Sequence, residues 1–180
     1  MKRKIFFLTG FMASGKSTIG PILANTLGWN FYDLDRVIEN KTGMKITQVF
    51  AKHGEKYFRE IEKATLQEIS TEDNMIISLG GGTIADQLNI DFMKAKGEII
   101  YLQASPEAYL RRLRFKKDRP ALLGENQESL SAEELEKKIK MLLNERKKYY
   151  GQADYTINTD GISIGKTVDK IAKIILNDLK

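Results

Sequence analysis

Residues 10–18 read GFMASGKST and contain the pattern G-x-x-x-x-G-K-[ST], the P-loop. An apolar run, IFFLT, precedes it and a helical pattern follows, the context that gives the pattern chemical meaning. Gly10 and Gly15 supply the loop's glycines. The backbone N–H groups of Met12, Ala13, Ser14, Gly15, Lys16, Ser17 and Thr18 can wrap a phosphate chain, and the start of a helix adds partial positive charge. Lys16 is placed to reach β- and γ-phosphates, and the Ser17 hydroxyl to bind Mg²⁺. A glycine-rich turn that binds nothing is the competing reading, and the flanking strand and helix speak against it. Nucleotide binding follows, with the phosphoryl acceptor left open.

Two carboxylates come next. Asp33 and Asp35 stand two residues apart in FYDLDR, at the end of an apolar run. On a nearly extended chain both can point to the same side. In a parallel sheet, ligands gather at the carboxyl ends of strands. Gly10, Asp33 and Gly80 all fall at or just past such ends, so three segments are expected to converge on one cleft. The run MIISLGGG lacks the acid with which many P-loop ATPases hold Mg²⁺, which makes Asp33, Asp35 or both the metal candidates. A solvated turn is the alternative. Gly80, Gly81 and Gly82 let the backbone approach a ligand closely and offer N–H donors, although alone they would equally suit a flexible turn.

Arg146 shares a helical stripe with Leu135, Ile139, Leu142 and Tyr149, at spacings of four, three, four and three. An arginine on an inward face needs an anion or a close acceptor, and a structural ion pair would satisfy it equally. Arg59 can pair with Glu62 at i+3 as a surface contact. His53, the single histidine, sits in an expected helix break and is given no catalytic role.

Five β-like runs position these groups, at 5–9, 31–34, 75–79, 98–103 and 154–159. Four are nearly continuous apolar runs and the last alternates. Longer helical patterns separate them, which predicts an α/β fold with a mostly parallel sheet covered on both faces. A helix over 16–27 puts Ile19, Ile22, Leu23 and Leu27 on one stripe and stops at Gly28; Pro21 costs it a backbone hydrogen bond. Residues 46–70 read as two helical pieces broken at 53–55. A helix over 105–114 follows Ser105-Pro106, and one over 131–150 opens with a capping box from Ser131 to Glu134. The last, about 162–178, is expected to turn Ile164, Val168, Ile171 and Ile175 inward. Residues 115–130 carry neither period, and a loop of that length in a compact domain is functional or disordered.

The 180 residues suit one domain, and 42% apolar with 29% charged residues is ordinary for a soluble globular protein. The absence of cysteine excludes disulfides and thiolate metal sites and fits a reducing compartment. The basic-then-apolar start resembles a signal peptide, but its apolar run breaks at Thr9-Gly10 and is better read as strand and loop. No run approaches the ~18 apolar residues of a membrane helix. Net charge is +5, concentrated in RRLRFKKDR at 111–119, with six basic residues and one acid. Such a run can bind nucleic acid, a membrane surface or the phosphates of a small ligand, or simply form a solvated face.

The ordered set of motifs resembles the shikimate kinase family over nearly the whole chain. GFMASGKST is similar to that family's P-loop, and DLD to its Asp-x-Asp. ITQVFAKHGEKYFREIE, at 46–62, resembles its F…GE..FR..E segment, and LGGG, RP.LL and ER…Y…AD follow in order. The resemblance implies ATP-dependent phosphorylation of the 3-hydroxyl of shikimate, in aromatic amino-acid biosynthesis. It implies a three-layer α/β/α fold whose five-stranded parallel sheet has the order 2-3-1-4-5. A single domain over 1–180 would carry a mobile substrate-binding segment at about 33–62 and a lid at about 113–126. Carried over by motif, Lys16 and Ser17 handle phosphate and Mg²⁺, and Asp33 approaches the metal through water. Asp35 binds the substrate hydroxyls and acts as base. Arg59 and Arg146 hold the shikimate carboxylate, and Gly80, Gly81 and Gly82 pack against the substrate. Arg119 is the lid arginine and Arg112 packs on adenine. An arginine pair suits a planar carboxylate, and a lid arginine can neutralise charge in a loose phosphoryl-transfer state. The chain departs from the family at Ala13, where glycine is usual, and at Ala121, where the family runs proline straight into the leucines.

The expected partners are therefore ATP, with Mg²⁺, and shikimate. Neither nucleic acid nor membrane is expected, and the chain is expected to be a cytoplasmic monomer. Two other readings stand beside this one. A related small-molecule kinase would act on gluconate or a nucleoside monophosphate, and a nucleotide acceptor has no need of the Arg59 and Arg146 clamp. A nucleotide-binding module held on nucleic acid through 111–119 would show steeply salt-dependent binding.

Overall fold

The computed structural model describes residues 5–113 and 130–178. The layering starts from one strand. β1 (Ile5–Thr9) is buried along its whole length, with Ile5 and Phe7 in one apolar cluster and Phe6 and Leu8 in another. A strand apolar on both sides belongs in the middle of a sheet covered twice. β1 lies between β3 (Met75–Ser78) and β4 (Glu98–Gln103), and the edges are β2 (Asn30–Asp33) and β5 (Tyr155–Asn158). The order is 2-3-1-4-5 and all four pairings are parallel, as expected.

On one face α1 (Lys16–Leu27) and α7 (Ile164–Asp178) bring Ile19, Leu23, Val168, Ile171 and Ile175 against Phe6, Leu8, Ile76 and Ile100. On the other, α2 (Leu34–Thr42), α3 (Ile46–Ile69), α4 (Gln87–Lys96) and α6 (Ala132–Tyr150) bring Leu34, Ile38, Phe58, Leu66, Met93 and Tyr150 against Ile5, Phe7, Ile77 and Tyr101. A third cluster joins α5 (Pro106–Leu113) to α6 through Tyr109, Leu113 and Ile139, and includes Phe11 and Met12 of the P-loop. The loop that is to hold phosphate is thus anchored in a core of its own, with the Phe11 and Tyr109 rings 5.1 Å apart.

Local signals act as read. Ser131 and Glu134 form the capping box, and the Ser105 hydroxyl accepts from the Ala108 N–H. α1 continues through Pro21, which is exposed. α3 departs from helical geometry at Gly54, inside the expected break. The structure differs at four points. Ile22 is 43% exposed and Ile164 47% exposed; neither helix turns them to the sheet, and Ala24 and Ala172 pack there instead. α2 and α4 are additional to the expected helices; each is short and buries only two or three residues. The expected lid lies, beyond Leu113, outside the described residues.

Candidate functional site

A cavity of about 1250 Å³ opens at the carboxyl end of the sheet. Met12, Ala13, Gly15, Lys16, Ser17 and Thr18 of the P-loop line it. Asp33 and Asp35 at the β2–α2 junction, Glu55, Arg59 and Glu62 of α3, Gly80, Gly81 and Gly82, Arg112 and Arg146 also line it. The three segments expected to converge do so. Gly10 and Ser14 lie beneath the surface of the cavity: Lys16 Nζ donates to the Gly10 carbonyl at 2.7 Å, the Phe11 carbonyl at 3.2 Å and Ser14 Oγ at 3.3 Å. Ala13 adopts φ 60°, the left-handed conformation that disfavours a Cβ.

Asp33 and Asp35 are not on one extended chain. β2 ends at Asp33, which caps α2 by accepting the Arg36 N–H at 3.3 Å, and Asp35 stands in the first helical turn. An aspartate at the end of a strand readily starts a helix, because its carboxylate satisfies an orphan N–H. The same turn separates the two acids. Asp33 Oδ2 accepts from the Ser17 hydroxyl at 3.3 Å, which unites an oxygen pair from the P-loop helix and the second strand. This pair fits Mg²⁺, which takes one or two protein oxygens and completes its shell with water and phosphate.

Asp35 turns instead to Gly80. A Cβ on Gly80 would lie 2.8 Å from Asp35 Oδ1, 3.0 Å from Thr83 Oγ1 and 3.1 Å from Glu62 Oε1, so only a hydrogen fits among these three oxygens. A Cβ on Gly82 would lie 2.8 Å from Arg59 Nη2 and 3.0 Å from Nη1, and the glycine makes room for that guanidinium. The Gly81 carbonyl accepts from Arg146 Nη1 at 2.7 Å, while the Arg146 guanidinium lies 5.9 Å from the Phe11 ring centre. The two arginines, from α3 and α6, therefore meet at one glycine loop.

The pairing of Arg59 with Glu62 is not a surface contact. Glu62 is 1% exposed; Oε2 accepts from Arg59 Nη1 at 2.8 Å and Oε1 from the Thr83 hydroxyl at 2.7 Å. A buried carboxylate needs such compensation. Arg59 also donates from Nε and Nη2 to Glu55. Burial works against its charge, but Glu62 and Glu55 hold the guanidinium above its ordinary pKa. Arg112 donates to the carbonyls of Ala13 and Thr159, both at 3.3 Å, and so ties the P-loop to the end of β5. Arg119 lies outside the described residues. Glu55, Thr83 and Thr159 were missed by sequence reasoning. Glu55 could have been found from its i−4 spacing to Arg59, whereas Thr159 carries no local signal.

A parallel 2-3-1-4-5 sheet, with a P-loop after its central strand and a carboxylate-bearing strand end beside it, defines a P-loop kinase. Comparison with known proteins narrows the class. The family model described as Shikimate kinase matches residues 12–178. The chain is 45% identical to a shikimate kinase of Chlorobium luteolum over 174 residues, 97% of this chain and 86% of that protein. It is 45% identical over 171 residues to one of Chlorobaculum parvum, covering 95% and 91%. The crystal structure of shikimate kinase from Bacteroides thetaiotaomicron matches with a TM-score of 0.86 at 34% identity, covering 96% of this chain and 98% of that one. Shikimate kinase from Acinetobacter baumannii in complex with shikimate matches with a TM-score of 0.86 at 35% identity, covering 99% and 95%. The chain belongs to the shikimate kinase family.

Proposed function

We propose that the protein transfers the γ-phosphoryl group of ATP to the 3-hydroxyl of shikimate, giving shikimate 3-phosphate for aromatic amino-acid biosynthesis. The observation that carries this is the meeting of Arg59 and Arg146 at the glycine loop, in the cavity that the P-loop and Asp35 also line. Two guanidinium groups suit an acceptor that is a carboxylic acid. The acceptor's hydroxyls then fall to the carboxylate on the other side of Gly80. The relative bound to shikimate supports the same substrate.

The P-loop N–H groups and the start of α1 receive the phosphates, and the Lys16 ammonium passes from the loop's carbonyls to phosphate oxygens. Ser17 and Asp33 would hold Mg²⁺, Asp33 through water. When bound, that ion neutralises charge developing on the β- and γ-oxygens. Asp35 takes the proton of the acceptor hydroxyl as its oxygen bonds to the γ-phosphorus, the β–γ bridging bond breaks, and ADP leaves. Gly80, Gly81 and Gly82 pack against the substrate, Arg112 packs on adenine, and Arg119 is the lid arginine. Residues 33–62 serve as the substrate-binding segment and 113–126 as the lid of a single kinase domain. The protein acts as a cytoplasmic monomer, without nucleic acid or membrane as a partner. Among the described residues no helix is long and apolar enough to cross a membrane.

An acceptor panel tests this. With saturating ATP and Mg²⁺, ADP release should depend on shikimate and respond weakly to gluconate or nucleoside monophosphates. No stimulation by shikimate overturns the proposal.

A further inference from the structure

Glu55 occupies part of the arginine on which the substrate's acid is expected to bind. Its Oε1 accepts from Arg59 Nε at 3.3 Å and from Nη2 at 3.1 Å, so one carboxylate covers a complete side of the guanidinium fork. The same two donors are those through which arginine grips a carboxylate in a bidentate pair; here both go to one Glu55 oxygen. The other partner, Glu62, is built into the wall: it is buried and also held by Thr83. Glu55 is built differently. Its side chain is 67% exposed, and the residue before it is Gly54, whose φ of 81° and ψ of 172° interrupt α3. Apart from its chain neighbours and the nearby backbone of α3 itself, no atom lies within 4 Å of the place where a Gly54 Cβ would stand, so the break has open space on its outer side.

We infer that Glu55 is an affinity-tuning residue, an internal carboxylate that holds Arg59 until an acceptor's own carboxylate replaces it. This rests on the reading of Arg59 as a carboxylate-binding residue. When an acid enters, three carboxylates surround Arg59, with Arg146 as the second cation at the same loop. Like charges at that distance repel, and the exposed one leaves at least cost because water receives it. An uncharged acceptor exerts no such force and finds Arg59 already engaged. Glu55 thus sets how tightly an acid is held, by exchange of one anion for another.

The test is binding of shikimate and of its uncharged methyl ester to the full-length protein, measured by titration calorimetry without nucleotide. Glu55→Gln and Glu55→Ala should each bind shikimate about two- to fivefold more tightly than wild type, the worth of a half-exposed arginine–carboxylate pair. A merely structural role would instead weaken binding on substitution. Unchanged or weaker shikimate binding in both variants, with circular dichroism matching wild type, overturns the proposal. Two failures are distinguishable. If wild type binds acid and ester alike, the carboxylate reading of Arg59 fails and takes this proposal with it. If wild type prefers the acid but neither variant tightens, only the role of Glu55 fails.

Discussion

At the scale of the residue, the site separates two aspartates that sequence spacing alone would treat as a pair. Asp33 faces Ser17, and Asp35 faces Gly80. Asp35→Ala should lower kcat by on the order of 10²–10⁴, as for a lost general base, with ATP affinity little changed. Steady-state kinetics and nucleotide titration check both halves, and a near-normal kcat would remove Asp35 from the base role. Arg146, proposed to bind the acceptor's carboxylate and not to react, gives a different expectation. Arg146→Ala should raise the KM for shikimate about 10- to 100-fold, the worth of a charge-assisted hydrogen bond, with a smaller change in kcat. Loss of folding instead, seen by circular dichroism, would assign Arg146 to structure.

At the scale of the element, two backbone positions decide whether segments can take their places. Gly54 lies in a region of backbone space open essentially only to glycine. Gly54→Ala should cost about 1–3 kcal/mol in a denaturant melt, from backbone strain, since a Cβ there meets no side chain and no other element. A melt identical to wild type would mean that the break in α3 relaxes without penalty. Ala13 is the converse: a Cβ already sits at φ 60°. Ala13→Gly should stabilise the fold by up to about 1 kcal/mol, as release of left-handed strain exceeds the added chain entropy of glycine. A lower denaturation midpoint for the variant would show that its methyl group contributes more through packing than it costs in strain.

At the scale of the whole molecule, three buried phenols set the alkaline limit. Tyr101 and Tyr150 stack with ring centres 4.3 Å apart, and Tyr109 is fully buried, its hydroxyl accepting from the Ala104 N–H. Burial raises the pKa of all three, that of Tyr150 to about 12. Above pH ~10 the unfolded chain releases these protons while the folded one keeps them, so the folded state binds more protons and stability falls as pH rises. The contribution is fully present below pH ~10 and is lost toward the folded values, at up to ~1.4 kcal/mol per pH unit for each tyrosine. Urea melts from pH 8 to 11 should be level at first and then decline, with a shallower decline in Tyr150→Phe. Stability that holds or rises between pH 10 and 11 contradicts this account.

The sequence by itself determined the features whose physics is local. Unbroken apolar runs specify strands buried on both faces, Ser131 with Glu134 specifies a helix start, and GFMASGKST specifies a phosphate loop between strand and helix. It also named most of the residues that line the cavity. Tertiary structure decided how they are used. Glu62 is a buried partner rather than a surface one because Thr83, 21 positions away, comes within hydrogen-bonding distance. Arg146 meets Gly81 across 65 positions, and Arg112 meets Thr159 across 47. Periodicity and capping act over a few residues. These contacts depend on the order of the strands and on which helix crosses which face, and they exist only once the sheet has assembled.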